Sequence, residues 1–317
     1  MKIDPRHLEI IAAVVDKGGL TEGAHAVGRA QPSVSRTIAM LEARIGVALF
    51  DKDRRPLKPT ELCLALAAEG RRIVGATKAA AAIIDDYKSG QYDNVRIGGT
   101  PLFMDGVIAP KIAEFQQAFP DVRIEQSYGY TGELMERLTS GMLDIAICPM
   151  NVAMIPEGFR FTQLLPGRNV IACGHNHPLL MKASLRLSDI ALYPWIAPPV
   201  SSPLYQDMRI VLADIGIREF KISFSGGSLA SVTSILSHSD ALTVLPYSVV
   251  FMARRARTLS ALSIRIGHPE RSLGILSLSS NETERASVRR LKQFLESEFR
   301  TFSQVVSQHE KETLRRF

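Results

Sequence analysis

Residues 18–46 read GGLTEGAHAVGRAQPSVSRTIAMLEARIG and predict two short helices joined by a tight turn. Apolar residues recur at helical spacing in the first half, stop at Gly28, and resume in the second half. Two such stripes bury against one another. Pro32 fits because it stands in the first helical turn, where its missing N–H removes no helical hydrogen bond. The stretch therefore predicts a helix-turn-helix whose second helix starts near Gln31.

The outward face of the second helix carries short or forked hydrogen-bonding side chains. Such side chains reach base edges and phosphates in the major groove of DNA, where glutamine pairs with adenine and arginine with guanine. The predicted DNA contacts on this helix are Gln31, Pro32, Ser33, Ser35 and Arg36. The alternative interpretation is an ordinary polar face in contact with solvent.

A further helix and a turn-rich hairpin flank this unit. Residues 8–15 predict an amphipathic helix, and residues 49–60, LFDKDRRPLKPT, predict a hairpin with a basic tip. Arg54 and Arg55 at the tip are suited to the minor groove, where negative potential attracts guanidinium groups. Two aspartates in the same hairpin partly cancel this charge, so an ordinary charged turn is the alternative.

A long helix is predicted after Thr60, which is positioned to cap it. Apolar residues recur there in alternating four- and three-residue steps, a pattern typical of a coiled-coil seam, interrupted only by Glu69. The seam residues are Leu62, Leu66, Ile73, Ala76, Ala80, Ile83 and Tyr87. We interpret this helix as a dimerising linker, with packing against a second domain as the alternative.

The composition is that of an ordinary globular chain of 317 residues, 46% hydrophobic and 22% charged, long enough for more than one domain. The formal net charge is +6, and residues 1–60 supply half of it, with ten Lys or Arg against seven Asp or Glu. This excess favours a polyanionic partner. The three cysteines form no CxxC pair, and the chain shows no signal-peptide core or membrane-length apolar run. We therefore expect a cytoplasmic, nucleoid-associated protein without a membrane partner.

Beyond residue 90 the pattern changes to short β-rich runs separated by helices. The predicted strands are 95–98, 122–125, 144–148, 169–173, 221–224 and 241–245, and the predicted helices are 104–118, 131–141, 203–215 and 228–238. This alternation predicts βαβ units in a mostly parallel sheet, with enough chain for two α/β lobes. Ligands of such sheets bind beyond the carboxyl ends of the strands, against helix N-termini.

Several segments resemble the LysR-type transcriptional regulators. The resemblance is carried by GLTEGAHAV at 19–27, QPSVSRTI at 31–38, LEARIGVALF at 41–50 and LKPT at 57–60. It continues in order with FPDV at 119–122, LDIAI at 143–147, HNHPL at 175–179 and ALTVLP at 241–246. One departure is Ala30, because family members commonly have at this position a serine that would cap the recognition helix.

The resemblance implies an α/β fold with an N-terminal winged helix-turn-helix, a long linker helix and a two-lobed effector-binding domain like periplasmic solute-binding proteins. The expected boundaries are 1–60 for the DNA-binding domain, 61–90 for the linker, 91–303 for the effector domain and 304–317 for a C-terminal tail. The resemblance implies control of transcription by a small-molecule effector, binding to double-stranded DNA, a homodimer that pairs into a homotetramer, and contact with RNA polymerase. It implies no enzymatic activity and no cofactor.

Strand-to-helix junctions in the effector domain place hydroxyl groups at the positive ends of helices. The predicted effector-binding residues are Thr100, Pro101, Tyr130, Thr131, Ser201, Ser202, Gly227 and Ser228. We expect a small anionic or polyhydroxylated effector there. Helix capping alone is the alternative for each hydroxyl.

Other chemistries receive less support from the sequence. His175 and His177 alternate, but no Cys or carboxylate cluster completes a metal site. Cys148 and Cys173 are a candidate redox pair, although their apolar surroundings favour inert thiols. The alternative for the whole chain is a cytoplasmic small-molecule-binding α/β protein or enzyme with an incidental helical N-terminus. No export signal and no catalytic motif supports it.

Overall fold

The computed structural model describes residues 3–51, 57–89, 94–182, 184–200, 202–267, 270–279 and 284–314. The chain divides into two units. The first consists of residues 1–92 together with 136–143, and the second of residues 93–135 and 144–317. In the described part of the chain, no helix combines the length and the apolar character needed to cross a bilayer.

Three helices form the core of the first unit: α1 (Pro5–Lys17), α2 (Leu20–Ala26) and α3 (Gln31–Ile45). The Asp4 carboxylate accepts a hydrogen bond from the Arg6 N–H at the start of α1. Gly18 and Gly46 end α1 and α3 in the left-handed conformation. The apolar stripes of the three helices are buried together, with Ile11, Val14, Val34, Ile38 and Leu41 at their centre. The predicted helix-turn-helix is confirmed.

A short hairpin follows α3. Strand β1 (Phe50–Asp51) pairs antiparallel with β2 (Lys58–Pro59), in agreement with the predicted wing. Residues 52–56 at its tip lie outside the described residues. Helix α4 (Glu61–Ser89) then begins with the predicted cap, because the Thr60 hydroxyl accepts a hydrogen bond from the Cys63 N–H at 3.2 Å.

The first turns of α4 belong to the core of the first unit. Cys63 and Ala67 are fully buried in the cluster that contains the apolar residues of α1. Gly70 lies so close to Leu8 that a side-chain carbon at residue 70 would overlap the Leu8 carbonyl oxygen. Leu66 packs, half-buried, against the same core. The prediction that Leu66 has no apolar surface to pack against other than a dimer seam is therefore wrong.

The described residues of the second unit form a five-stranded sheet and a second set of five strands, in which a three-stranded and a two-stranded sheet are joined by one parallel bridge. The first contains β3 (Asn94–Gly99), β4 (Arg123–Tyr128), β5 (Ile145–Met150), β6 (Phe159–Leu165) and β12 (Ser272–Leu278), in the order β4-β3-β5-β12-β6. The second contains β7 (Asn169–Gly174), β8 (Trp195–Ala197), β9 (Ile222–Ser225), β10 (Thr243–Pro246) and β11 (Leu259–Ala261). A parallel bridge between Trp195 and Leu242 completes its order, β9-β8-β10-β7-β11. We call the parts of the chain around these sheets the first and the second lobe.

The two sheets have the same arrangement of strand directions. In each, the first three strands in spatial order run parallel, and the fourth runs antiparallel to both of its neighbours. The fourth strand is β12 in the first sheet and β7 in the second. The chain crosses from β6 in the first lobe to β7 in the second, and it returns from β11 in the second lobe to β12 in the first. The prediction of a mostly parallel sheet is confirmed for the strand directions, because four of the five strands around each core run the same way. The antiparallel exceptions are the two exchanged strands, β12 and β7, whose direction the sequence did not predict.

The helices that accompany these strands are α5 (Pro101–Phe103), α6 (Ala109–Ala118), α7 (Thr131–Thr139), α8 (Leu187–Ile190), α9 (Pro203–Asp214), α10 (Leu229–Ser237), α11 (Tyr247–Ala253) and α12 (Ala286–Leu314). A π-helical segment, Met104–Ile108, joins α5 to α6. The predicted tail at 304–317 is not a separate segment through residue 314. Residues 304–314 continue α12, and Val306 is buried in the core of the second lobe.

Candidate functional sites

The start of α3 presents a polar surface to solvent. Val34, Ile38 and Leu41 are buried and hold the helix against the core, which directs the side chains between them outward. Of the predicted contacts, Gln31, Pro32, Ser33 and Arg36 are exposed and Ser35 is half-buried. Arg36 makes no ion pair with another described residue.

The N-terminus of α3 has no side-chain cap. Ala30 occupies the cap position and offers no acceptor to the first N–H groups. The Thr37 hydroxyl is already engaged, because it donates a hydrogen bond to the Ser33 carbonyl at 2.9 Å. An uncapped N-terminus carries the positive end of the helix dipole and favours a nearby phosphate. This surface combines that positive end with Gln31 and Arg36, which are side chains able to pair with base edges.

The wing contributes less to the described surface. Arg54 and Arg55, predicted for the minor groove, lie outside the described residues. The antiparallel pairing of Phe50 with Pro59 and of Asp51 with Lys58 forms the base of the hairpin that carries them. Lys58 is exposed on this base.

A cavity of about 90 Å³ lies in the second unit where the carboxyl ends of four strands meet. Its size is several times the roughly 10–15 Å³ that one water molecule requires. Its wall includes residues that directly follow β3, β4, β8 and β9, namely Thr100, Pro101, Tyr130, Pro198, Pro199, Gly226 and Gly227. The cavity therefore lies where open α/β sheets bind their ligands.

Five of the eight predicted effector-binding residues line this cavity: Thr100, Pro101, Tyr130, Gly227 and Ser228. Ser202 does not, because it is buried and its hydroxyl caps α9 by accepting a hydrogen bond from the Leu204 N–H at 3.2 Å. Thr131 does not either, and its side chain forms a hydrogen bond with Cys148. For Ser202, the alternative of helix capping fits the geometry. Ser201 lies outside the described residues.

Thr100 and Ser228 present their hydroxyls in different ways. The buried Thr100 donates its backbone N–H to the Ile147 carbonyl at 3.1 Å, while its hydroxyl makes no capping bond to α5. Ser228 caps α10, because its hydroxyl accepts a hydrogen bond from the Ser231 N–H at 3.3 Å. Gly227 precedes it with a φ of 84°, which favours glycine and allows the backbone itself to form the wall.

Asp207 on α9 also lines the cavity, and the sequence analysis missed it. Its carboxylate accepts a hydrogen bond from Arg271 at 3.3 Å. Burial raises the pKa of Asp207, and the positive charge of Arg271 offsets part of that increase. A signal was present in the sequence: Asp207 stands three residues after Leu204 and four before the buried Val211, on a face where a helix normally carries apolar residues.

The cysteines are poorly placed for redox chemistry. Cys148 on β5 and Cys173 on β7 are fully buried in different sheets, and Cys63 is buried in the first unit. Burial raises the pKa of Cys148 and of Cys173 to about 12, and that of Cys63 to about 11. At neutral pH the reactive thiolate is therefore scarce at all three positions.

His177 has a structural role. Its Nδ1 accepts a hydrogen bond from the Leu179 N–H at 3.1 Å, and its Nε2 faces the Asp240 carbonyl at 3.2 Å. Both ring nitrogens are thus engaged within the protein. Across the described residues, no group of three or more His, Cys, Asp or Glu side chains is arranged to hold a metal ion.

Two family profiles match most of the chain. Residues 5–64 match the profile of bacterial regulatory helix-turn-helix proteins of the lysR family, and residues 89–300 match the LysR substrate binding domain. The chain belongs to the LysR family of transcriptional regulators. This LysR-family regulator combines a helix-turn-helix DNA-binding domain with an effector-binding domain. Since the family's members are regulators and not enzymes, the alternative of an enzyme with an incidental helical N-terminus is wrong.

Individual relatives agree with the family profiles. The regulator is 26% identical over 269 residues to the SDS degradation transcriptional activation protein of a Pseudomonas species, covering 83% of this chain and 86% of the relative. It is 30% identical over 190 residues to the transcriptional activator protein LysR of Escherichia coli K12, covering 59% and 60%. Full-length CbnR in complex with its target DNA has the same fold, with a TM-score of 0.60 at 15% identity over 93% of this chain and 99% of that chain.

Proposed function

We propose that this LysR-family regulator binds specific DNA sites through the start of α3 and that an effector in the cavity of the second unit controls its activity. One observation carries the DNA-binding proposal. Gln31, Ser33 and Arg36 are exposed around an uncapped helix N-terminus that the buried Val34 and Ile38 hold rigidly against the core.

The side chains at this surface have different roles. Gln31 pairs with adenine and Arg36 with guanine, because both side chains form two parallel hydrogen bonds with those bases in the major groove. Ser33 donates its hydroxyl to a phosphate near the helix N-terminus. Arg54 and Arg55 reach the minor groove from the wing.

The effector acts through the oligomer. Bound by Thr100, Tyr130 and Ser228, it favours one arrangement of the DNA-binding domains over another by its differential affinity for the two states. Helix α4 joins two copies of the chain, two such dimers form the tetramer, and the tetramer contacts RNA polymerase on nucleoid DNA. The exposed side chains of Leu62, Ala76 and Ala80 support α4 as the dimer contact.

The first experiment identifies the DNA sites. Genomic fragments captured by the purified full-length protein, with and without candidate metabolites, are sequenced to define the operator. In gel-shift titrations on that operator at fixed salt, Arg36→Ala should weaken binding by roughly 1–3 kcal/mol, because it removes charge-assisted contacts to a base.

Arg44→Ala is the matched control, since Arg44 is exposed on the last turn of the same helix. It should retain nearly full affinity. Equal affinity of the Arg36 variant and the parent, or an equal loss in both variants, would show that the start of α3 is not the DNA-reading surface.

A further inference from the structure

The effector cavity has an unbalanced charge. Among the described residues, its wall contains one carboxylate, Asp207, and no Lys, Arg or His. Much of the remaining wall is apolar, with Ile196, Met208, Leu229 and Val232 as examples. A mostly apolar wall with few polar groups orients a ligand through those few groups. Asp207 is therefore the group that decides which ligand charge is accepted.

The Asp207 carboxylate is incompletely satisfied. Its single described partner is Arg271, at 3.3 Å, which exceeds the roughly 2.7–2.9 Å of a good charge-assisted hydrogen bond. The Asp207 side chain is only 12% exposed, so that bulk water solvates it poorly. An ionised carboxylate has about four acceptor positions on its two oxygens. A ligand that brings a hydrogen-bond donor would therefore remove part of the cost of burying this group.

Arg271, the partner of Asp207, does not line the effector cavity. It lines a smaller cavity of about 30 Å³, together with Asp207, Arg168 and Ser248. Among the described residues, the wall that a ligand in the larger cavity contacts therefore includes a carboxylate and no guanidinium group. A ligand carboxylate at that position would face the negative charge of Asp207 in a weakly solvated site, where like charges repel strongly.

We propose that the effector is a small molecule with an apolar body and a hydrogen-bond donor, best an amine and otherwise a hydroxyl group, that binds Asp207, and that carboxylates are rejected. This inference rests on the proposed function, because it names the ligand class of the same cavity. The body of the ligand contacts Met208 and Val232, and Tyr130 offers a ring for stacking. The class excludes the anionic effector expected from the sequence.

Three probes that share one ring test the preference: benzylamine, benzyl alcohol and benzoate. Each is titrated into the full-length protein by isothermal titration calorimetry at neutral pH. Benzylamine should bind at least about tenfold more tightly than benzoate, with benzyl alcohol between them, because a hydrogen bond to a charged group stabilises a complex by roughly that factor. Benzoate binding as tightly as benzylamine, or no binding by any probe at millimolar concentration, overturns the proposal.

The variant Asp207→Asn tests the residue itself. It removes the negative charge and leaves Arg271 without its counter-charge, so the binding of benzylamine should weaken by about tenfold while that of benzoate strengthens. Asp214→Asn changes an exposed carboxylate at the end of the same helix and should keep the parental preference. Asp207→Glu keeps the charge and should keep the preference for the amine, which provides a second test if the Asn variant fails to fold. An unchanged preference in a folded Asp207→Asn protein overturns the proposal.

Gel-shift assays on the same preparations separate this inference from the proposed function. If the protein binds its operator specifically but does not prefer benzylamine to benzoate, only the proposed effector class is rejected. Loss of specific DNA binding by the parent protein rejects the proposed function itself.

Discussion

At the scale of single residues, Asp144 shows how the second unit holds a buried carboxylate. Its Oδ2 accepts the Arg96 backbone N–H at 2.7 Å, its Oδ1 accepts the Arg96 guanidinium at 2.8 Å, and Arg285 adds a second guanidinium. Burial alone would raise the pKa of Asp144. The hydrogen bonds and charge of Arg96, with the charge of Arg285, outweigh burial and hold that pKa below its ordinary value.

Asp144→Asn should lower the free energy of unfolding by about 3 kcal/mol at neutral pH, because two guanidinium groups lose their counter-charge. The difference from the parent should shrink in acid. A carboxyl with a lowered folded pKa contributes stability above its unfolded pKa of about 3.9, and this contribution disappears as the pH falls through the folded value. Urea unfolding is followed by the fluorescence of Trp195, the only tryptophan, which is buried in the same unit.

Asp121→Asn is the control for this test, because Asp121 is exposed. It should change the unfolding midpoint little at any pH. A destabilisation by Asp144→Asn that stays constant from neutral to acid pH would contradict the assignment of an ionised, paired carboxylate.

The sequence predicted the hydroxyls of the cavity wall better than its charge. Thr100 directly follows β3 and Ser228 follows β9 after two glycines, and the end of a strand is recognisable from local pattern. Thr131 and Ser202 follow the same rule, yet their side chains bond to nearby groups of the protein, an outcome decided by rotamers and neighbours. The spacing of Asp207 from Leu204 and Val211 indicates the inward face of α9, but that this face meets the cavity depends on how α9 packs against the sheet.

At the scale of elements, helix α4 changes its surroundings along its length. Its first turns are buried in the first unit through Cys63 and Ala67. Leu62, Ala76 and Ala80 of the predicted seam are exposed. The side chains of Ile83 and Tyr87 lie outside the described residues. Small residues on an exposed face allow two helices to approach closely, which suits the proposed dimer contact.

The double variant Ala76→Glu, Ala80→Glu should dissociate the dimer. Each Glu keeps a strong helix former at its position but places like charges opposite each other across a two-fold axis. Sedimentation velocity of the full-length protein measures the result. Lys78→Glu is the control, because it makes the same change in net charge as the double variant. Lys78 is exposed and lies about 200° of helical rotation from both Ala76 and Ala80, so that it points away from the proposed dimer contact. Dimers that persist in the double variant would place the contact elsewhere.

The elements missed by the sequence analysis are those whose partners are distant or whose runs are short. Strands β8 and β11 have three residues each, which is too short for a period to be recognised. Strand β12 is a strongly apolar run, but nothing local shows that it inserts between β5 and β6. The end of α12 resembles a tail in sequence because charged and polar residues dominate it, and the buried Val306 is the exception among its described apolar side chains.

At the scale of the whole second unit, α12 contributes to the cores of both lobes. Leu291, Leu295 and Phe299 belong to the core of the first lobe, and Val306 belongs to that of the second. Phe302 packs against both cores. Further along, the Tyr247 hydroxyl lies 2.6 Å from His309 Nδ1. The end of α12 therefore packs against the second lobe, although this helix begins in the first lobe.

Val306→Ala should lower the free energy of unfolding of the second unit by about 2 kcal/mol, because it removes two buried methyl groups and leaves a small cavity. Val305→Ala is the matched control: Val305 precedes it on the same helix and is 50% exposed, so its removal should cost less than about 0.5 kcal/mol. Urea unfolding monitored through Trp195 compares the two. Equal effects of both substitutions would show that residues beyond 300 do not support the second lobe.

The exchange of β7 and β12 also sets the order in which the protein is completed on the ribosome. Strands β5 and β6 each pair with β12 and not with each other, so that the first sheet has a gap until Ser272–Leu278 has been synthesised. By then every strand of the second sheet has already been synthesised. Contacts between such distant segments form slowly, and an unfilled sheet exposes apolar strand edges in the meantime. The synthesis of the first lobe thus begins before that of the second lobe, but its sheet is completed later. The incomplete first sheet is the folding intermediate most in need of protection in the cell.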